Sequence, residues 1–325
     1  MRSALPLKHS FPIALGTAGY GTGIQPDAAF QLLDSYVEMG GNHLDTAYDY
    51  ASWIPGGAGA SERTIGQWLS RSGARNKLLI ATKAGCTQGT VKRIRRDVLR
   101  AELAESLDRL GVEYVDMFWL HRDDPTVPVD EILDWMEELR RYKQIAQYGA
   151  SNWTSIRIAE AQARALSRGI PGFSASQCGW NLPALTPNVF DTADAHFLQA
   201  DDERWHATTG FPLVAYESQA GGFFSARYRN GMQAASSREY VVMLHYANAT
   251  NWRRLEIARE LASLHGCTPN QIVLAWMRHQ SFPVISIIGA RTVEQLQDSL
   301  GSVKVQLTND ECQRLRSADA FADNS

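Results

Sequence analysis

Apolar runs of strand length alternate along this chain with segments of helical periodicity, and several of the runs end on one polar residue that an apolar core would not tolerate. Leu78 to Lys83 and Val115 to His121 are the clearest cases, and Asn42 to Thr46 ends beside the carboxylate of Asp45. Such runs read as strands buried in a parallel α/β sheet, where chemistry gathers at the strands' carboxyl ends. Eight of them, near 12–16, 42–46, 78–83, 115–121, 147–151, 173–178, 212–217 and 283–288, predict repeated βα units. Helical periodicity predicts helices over Pro26–Met39, Ser61–Ser70, Arg95–Leu110, Val129–Arg141, Thr154–Arg168 and Pro269–His279. A longer one over Asn251–Leu264 is expected to pack across the barrel. Pro26 and Thr268-Pro269 mark helix starts, while Gly40-Gly41, Gly73, Gly111 and Gly169 mark helix ends. The expected fold is α/β: a (β/α)8 TIM barrel with additional C-terminal helices, in a single domain over residues 1–325.

A doubly wound dinucleotide fold also alternates strands and helices, but it should carry G-x-G-x-x-G directly after its first strand. Here Gly16, Gly19, Gly21 and Gly23 miss that spacing, with Ile24 where a third glycine would stand. The formal charge of −3, from 32 basic and 35 acidic residues, argues against nucleic-acid partners. Cys86, Cys178, Cys267 and Cys312 are scattered, with neither disulfide framework nor zinc spacing, so no metal is expected. Met1 to Ser10 does not read as a signal peptide, and nothing later approaches a membrane span. These features predict a cytoplasmic protein without a membrane partner.

Asp45, Tyr50, Lys83 and His121 lie in or just after three of the strand-like runs and are expected to converge at one barrel mouth. A phenol beside an ammonium and an imidazole suggests proton donation. Taken singly, each has an ordinary structural reading; their joint placement favours chemistry.

The chain resembles the aldo-keto reductases from about Leu15 to Leu307. The resemblance rests on Asp45-Thr46-Ala47 with Tyr50, Ser61-Glu62, Ala81-Thr82-Lys83, Leu120-His121-Arg122-Asp123-Asp124 and Gly149-Ala150-Ser151-Asn152. Gln177, Ala215-Tyr216 with Gly221-Gly222, and Ile288-Gly289-Ala290-Arg291 with Gln295 continue it in order. It implies hydride transfer between a nicotinamide cofactor, NADPH first and NADH second, and a small-molecule carbonyl or alcohol substrate. Tyr50 is the implied acid, with its pKa lowered toward working pH by Lys83; Asp45 holds Lys83 and His121 orients the carbonyl. Ser151, Asn152 and Gln177 match the carboxamide-binding positions and Tyr216 the aromatic that stacks on the ring. Ser218, Gly289, Arg291, Gln295, Asp298 and Ser299 match the rest of the cofactor site, with Arg291 on the adenosine phosphate.

Two departures from the family pattern stand out. Glu217 to Phe224 replaces a Ser-Pro-Leu continuation, which puts a carboxylate near the pyrophosphate unless it points away. Ala51 to Ala60 forms a longer link after Tyr50, as in one bacterial branch of the family. Tyr20, Trp53, Trp119 and Trp153 are the expected substrate-pocket aromatics, with Trp180 also near the mouth. A non-catalytic relative that binds cofactor while serving a partner, like the potassium-channel β subunits, is the alternative. A glycosidase using Asp45 and Glu217 needs two opposed acids and leaves Lys83, Ser151, Asn152 and Arg291 unexplained.

Overall fold

The computed structural model describes residues 7–183, 185–186 and 194–318. Eight parallel strands close into a barrel in chain order: β1 (Ile13–Gly16), β2 (His43–Asp45), β3 (Leu79–Ala84), β4 (Val115–Leu120), β5 (Ile145–Ser151), β6 (Ser176–Gly179), β7 (Leu213–Tyr216) and β8 (Val284–Ile288). All eight predicted strands are present. β6 begins later than the expected 173, because Phe173 packs edge-on against Tyr148 and Trp153 outside the sheet.

Helices α1 (Pro26–Glu38), α2 (Ala60–Ser72), α3 (Arg96–Leu110), α4 (Val129–Arg141) and α5 (Ser155–Ser167) follow the first five strands. Helix α6 (Ala200–Thr209) follows β6; α7 (Ser237–Tyr246), α8 (Ala249–His265) and α9 (Pro269–Arg278) lie between β7 and β8; α10 (Val293–Gly301) and α11 (Asn309–Arg316) close the chain. The expected stops hold, with Gly73 and Gly111 capping α2 and α3 in left-handed geometry. Thr268 starts α9 with a reciprocal capping box and Pro269 in the first turn. Helix α8 packs along α9 and α11 in the outer layer, a different place from the expected crossing of the barrel. Its buried positions, from Trp252 to Leu261, match those neighbours.

Two apolar clusters divide the interior. The larger lies between the sheet and the helices; the smaller plugs the lumen with Leu7, Leu79, Ala81, Met117, Trp119, Ala175 and Val214. The register Asp45↔Ala81↔Met117 and Lys83↔Trp119↔Gly149 explains the plug, since alternate strand residues face inward. Gly149 makes room for the indole: a Cβ there would stand 2.4 Å from Trp119 and 2.5 Å from Met117. Above this plug the inward positions turn polar.

Candidate active site

Lys83 projects from β3 with its ammonium almost fully buried, which requires charge and hydrogen-bond partners. It forms an ion pair with Asp45 of β2 and donates to the Thr46 carbonyl at 2.8 Å and to the Tyr50 hydroxyl at 2.9 Å. The Tyr50 hydroxyl is 3.4 Å from Asp45 Oδ1, a long contact that leaves its proton weakly held. Gln177 of β6 reaches across the lumen and donates Nε2 to Asp45 Oδ2 at 2.8 Å. His121, first after β4, meets the Tyr50 ring edge-on with centroids 6.2 Å apart. The four predicted groups therefore meet in one cluster, joined by Gln177.

Burial raises the Tyr50 phenol well above its ordinary value, and the charges of Asp45 and Asp49 add to this while Arg122 opposes it. The expectation that Lys83 lowers the phenol toward neutrality is not met. In this desolvated site the carboxylates outweigh the cations, and the phenol stays protonated. Burial lowers Lys83 against the pull of Asp45, and it lowers His121 against the pull of Asp49. Burial also pushes the Asp49 carboxyl up, but His121 and Lys83 outweigh it and hold Asp49 below the usual carboxylate range.

Two participants were not singled out in the sequence. Asp49 brings Oδ1 to 2.9 Å from His121 Nδ1. Arg122 donates to the His121 carbonyl at 3.2 Å, and its charge acts on Tyr50, Lys83 and His121. Asp49 sits in a turn with no periodic signal, although its position one residue before Tyr50 was a clue. Arg122 is legible in the sequence only as part of the Leu120-His121-Arg122-Asp123-Asp124 run.

On the opposite side of the mouth, amides and hydroxyls come first. Asn152, at a left-handed φ of 63°, donates Nδ2 to the His121 carbonyl and to Ser151 Oγ, both at 3.0 Å. Its Oδ1 accepts from Tyr216 at 2.7 Å and from the His196 backbone at 2.9 Å. The amide is thus fully engaged and fixes the Tyr216 ring. Ser218 donates to the Ile287 carbonyl at 2.5 Å. Gln219 links this loop to the last unit, accepting from the Gly289 N–H at 2.9 Å and donating to Ser299 Oγ at 3.0 Å. Gln295 accepts from the Arg291 N–H at 2.9 Å, while Thr292 caps α10. Asp298 holds Thr268 and Asn270 at 2.7 and 2.8 Å, tying α10 to α9. Glu217 has a left-handed φ of 57° and an exposed side chain, and its carbonyl accepts from Asn181 at 2.9 Å.

The aromatics separate by the path of the segments that carry them. Trp119 points into the lumen, with Nε1 buried and unpartnered among the described residues, as is the Tyr20 hydroxyl. Trp153 is buried in the outer core and donates Nε1 to the Arg122 carbonyl at 3.1 Å. Trp180 packs on Trp276 of α9, with centroids 5.3 Å apart, rather than at the mouth. The alternation that turns Gln177 inward turns Cys178 and Trp180 outward. Trp53 is 66% exposed on the link after Tyr50.

This geometry coincides with sequence likeness along most of the chain. The sequence profile of the Aldo/keto reductase family matches residues 12–320. The aldo-keto reductase str7 of Strobilurus tenacellus is 29% identical over 309 residues, covering 93% of this chain and 84% of that protein. Norsolorinic acid reductase stcV of Emericella nidulans is 25% identical over 329 residues, covering 95% and 78%. A crystal structure of a thermostable aldo-keto reductase with the inhibitor epalrestat superposes with a TM-score of 0.70 at 24% identity, covering 95% of each chain.

Proposed function

Because the chain belongs to the aldo/keto reductase family of oxidoreductases, we propose that it reduces a carbonyl, or oxidises the corresponding alcohol, with Tyr50 as acid and base and NADPH as hydride carrier. The observation that carries this reading is the buried Lys83 ammonium 2.9 Å from the Tyr50 hydroxyl, backed by Asp45 and beside His121.

The donor set suits the cofactor. Ser151 and Gln177 stand at adjacent strand ends, and Gln177 keeps its carbonyl oxygen for an amide partner after donating to Asp45. The Tyr216 ring is held in place for stacking by Asn152, which acts here as a positioning residue. Arg291 is exposed at the capped amino terminus of α10, where a phosphate gains from both the guanidinium and the helix dipole. When bound, the nicotinamide supplies or accepts the hydride.

The chain's own residues handle the proton. In reduction, negative charge gathers on the substrate oxygen, and the Tyr50 hydroxyl gives its proton there. Lys83 stabilises the phenolate left behind, which burial alone would disfavour. His121 fixes the carbonyl's direction; its lowered pKa keeps it neutral at pH 7. Asp45 offsets the Lys83 charge, so the resting cluster is not left with an unpaired buried cation. Tyr20, Trp53 and Trp119 are the aromatics we assign to the substrate pocket, in one domain spanning the chain. The free cysteines suit a cytoplasmic setting.

The reading is tested by titrating the purified chain with NADPH while following nicotinamide fluorescence, then screening aldehydes, ketones and sugars for cofactor oxidation. Saturable binding with turnover of a carbonyl is the expected result. Binding without turnover of any carbonyl or alcohol would overturn the catalytic assignment in favour of a cofactor-binding regulatory protein.

A further inference from the structure

Asp49, Cys86 and His121 come from the ends of three adjacent strands, and one ligand atom of each lies within 4.8 Å of the other two. His121 Nδ1 and Asp49 Oδ1 are 2.9 Å apart and closed to solvent, and the Cys86 thiol also faces the Asp49 carboxylate. A cavity of about 50 Å³ lies on the Asp49 and Cys86 side of the cluster, with Ser52, Thr87 and the Glu102 carboxylate among its other walls. That is room for one ion with a water ligand.

One imidazole nitrogen, one sulfur and one carboxylate oxygen form a borderline-soft set. It suits zinc-class ions with a fourth position left for water, and is poor for calcium or magnesium, which require oxygen shells. Lys83 and Arg122 oppose a cation here, and burial with the Asp49 charge pushes the Cys86 thiol up to about 12, so an ion must displace that proton itself; once it has, the thiolate and the Asp49 carboxylate together balance a divalent charge. We propose that Asp49, Cys86 and His121 form an inhibitory site for a zinc-class divalent ion.

On binding, the Cys86 S–H bond breaks, its proton goes to solvent and an Sγ–metal bond forms; His121 contributes the Nδ1 lone pair with its proton on Nε2. No electron is transferred. The ion fixes the imidazole beside Tyr50 and adds positive charge next to the phenol, which removes its proton more readily and slows reduction. The inhibitory half of the proposal rests on the hydride-transfer reading given above; the binding half does not.

The test titrates the full chain with Co2+ and Zn2+. One ion per chain is expected, with a near-ultraviolet thiolate-to-cobalt band and Zn2+ inhibition that a chelator reverses. Cys86→Ser should lose the band, bind Zn2+ at least about tenfold more weakly and stay active in the presence of Zn2+. Asp49→Asn should keep the band with weakened affinity. Equal Zn2+ affinity in Cys86→Ser, or no thiolate band in the wild type, overturns the site. A thiolate band with undiminished turnover overturns the inhibitory role. Neither outcome bears on hydride transfer, which turnover of the metal-free protein tests separately.

Discussion

Strand β2 carries both ends of the barrel within three residues. At its start, His43 is fully buried and bonded through Nδ1 to the Ser10 hydroxyl at 2.8 Å, with Nε2 unpartnered among the described residues. At its end, Asp45 shares its carboxylate among Lys83, Gln177 and, at longer range, Tyr50. Both side chains face the same way along the strand, yet one is kept neutral and the other is a charged partner. The difference follows from neighbours: the bottom offers one hydroxyl, whereas the mouth offers an ammonium, an amide and a phenol. Titration at the bottom should therefore be felt as stability, and titration at the mouth as turnover.

The largest expected effect is at the mouth. Tyr50→Phe keeps the ring and removes the donor, so kcat should fall by at least about a hundredfold with NADPH affinity nearly unchanged. Lys83→Met should act similarly, because the phenolate loses its counter-charge. With the phenol held above its ordinary value, kcat/KM for reduction should stay level until at least about pH 9. Retention of most activity in Tyr50→Phe would remove the mouth's side of the comparison, and a fall in rate near neutrality would show that ligands reverse the burial effect.

At the bottom, burial pushes the His43 imidazole down to about 4 from 6.5. Between those values the unfolded chain binds the proton and the folded chain does not. Stability is therefore full above about pH 6.5 and is lost as pH falls toward 4, by about 3 kcal/mol from this group. Urea unfolding at stepped pH should show that slope, and His43→Gln should make it shallower by about one proton. An unchanged slope in the variant would mean that the bottom is not titrating through His43.

Arg291→Ala addresses the other side of the mouth, where the exposed guanidinium is the cation we assign to the cofactor. A charge-assisted bond to the additional phosphate of NADPH is worth about 1.5–3 kcal/mol, so NADPH should weaken by roughly tenfold or more while NADH changes little. Equal losses for the two cofactors, measured by fluorescence titration, would mean that Arg291 does not distinguish them.

What was legible in the sequence follows the same division. Strands and capped helices were readable because backbone periodicity and caps are local; Thr268-Pro269 and Gly111 sit where they were expected. Helices α6 and α7 were missed because they bury little: Asp202 and His206 in one, Val242 and Tyr246 in the other, so no apolar stripe announces them. The Ser236 cap accepting from Glu239 was the available signal for α7. Asp45, Tyr50, Lys83 and His121 could be grouped because strand ends converge in a barrel. The Asp49–His121 approach and the Gln219 link to Gly289 and Ser299 could not, since both depend on loop paths that no periodicity encodes.

The smallest expected effect lies at the rim, where the link after Tyr50 is a chain of tight turns. Ser52, Ile54, Gly57 and Ala60 each donate a backbone N–H three residues back, at 2.8–3.0 Å. Gly57 is required there, because a Cβ would stand 2.5 Å from the Ala51 carbonyl. The turns hold Trp53 outward, so an indole this exposed contributes little to stability on its own. It gains apolar contact only when a substrate covers it, which limits its contribution to about 0.7–1.4 kcal/mol. Trp53→Ala should therefore lower kcat/KM for bulky or ring-shaped carbonyls by roughly three- to tenfold relative to small aldehydes, leaving NADPH affinity and melting temperature almost unchanged. A uniform loss across substrates accompanied by a lower melting temperature would instead make Trp53 a brace for the turns, and would leave substrate choice to Tyr20 and Trp119 deeper in the mouth.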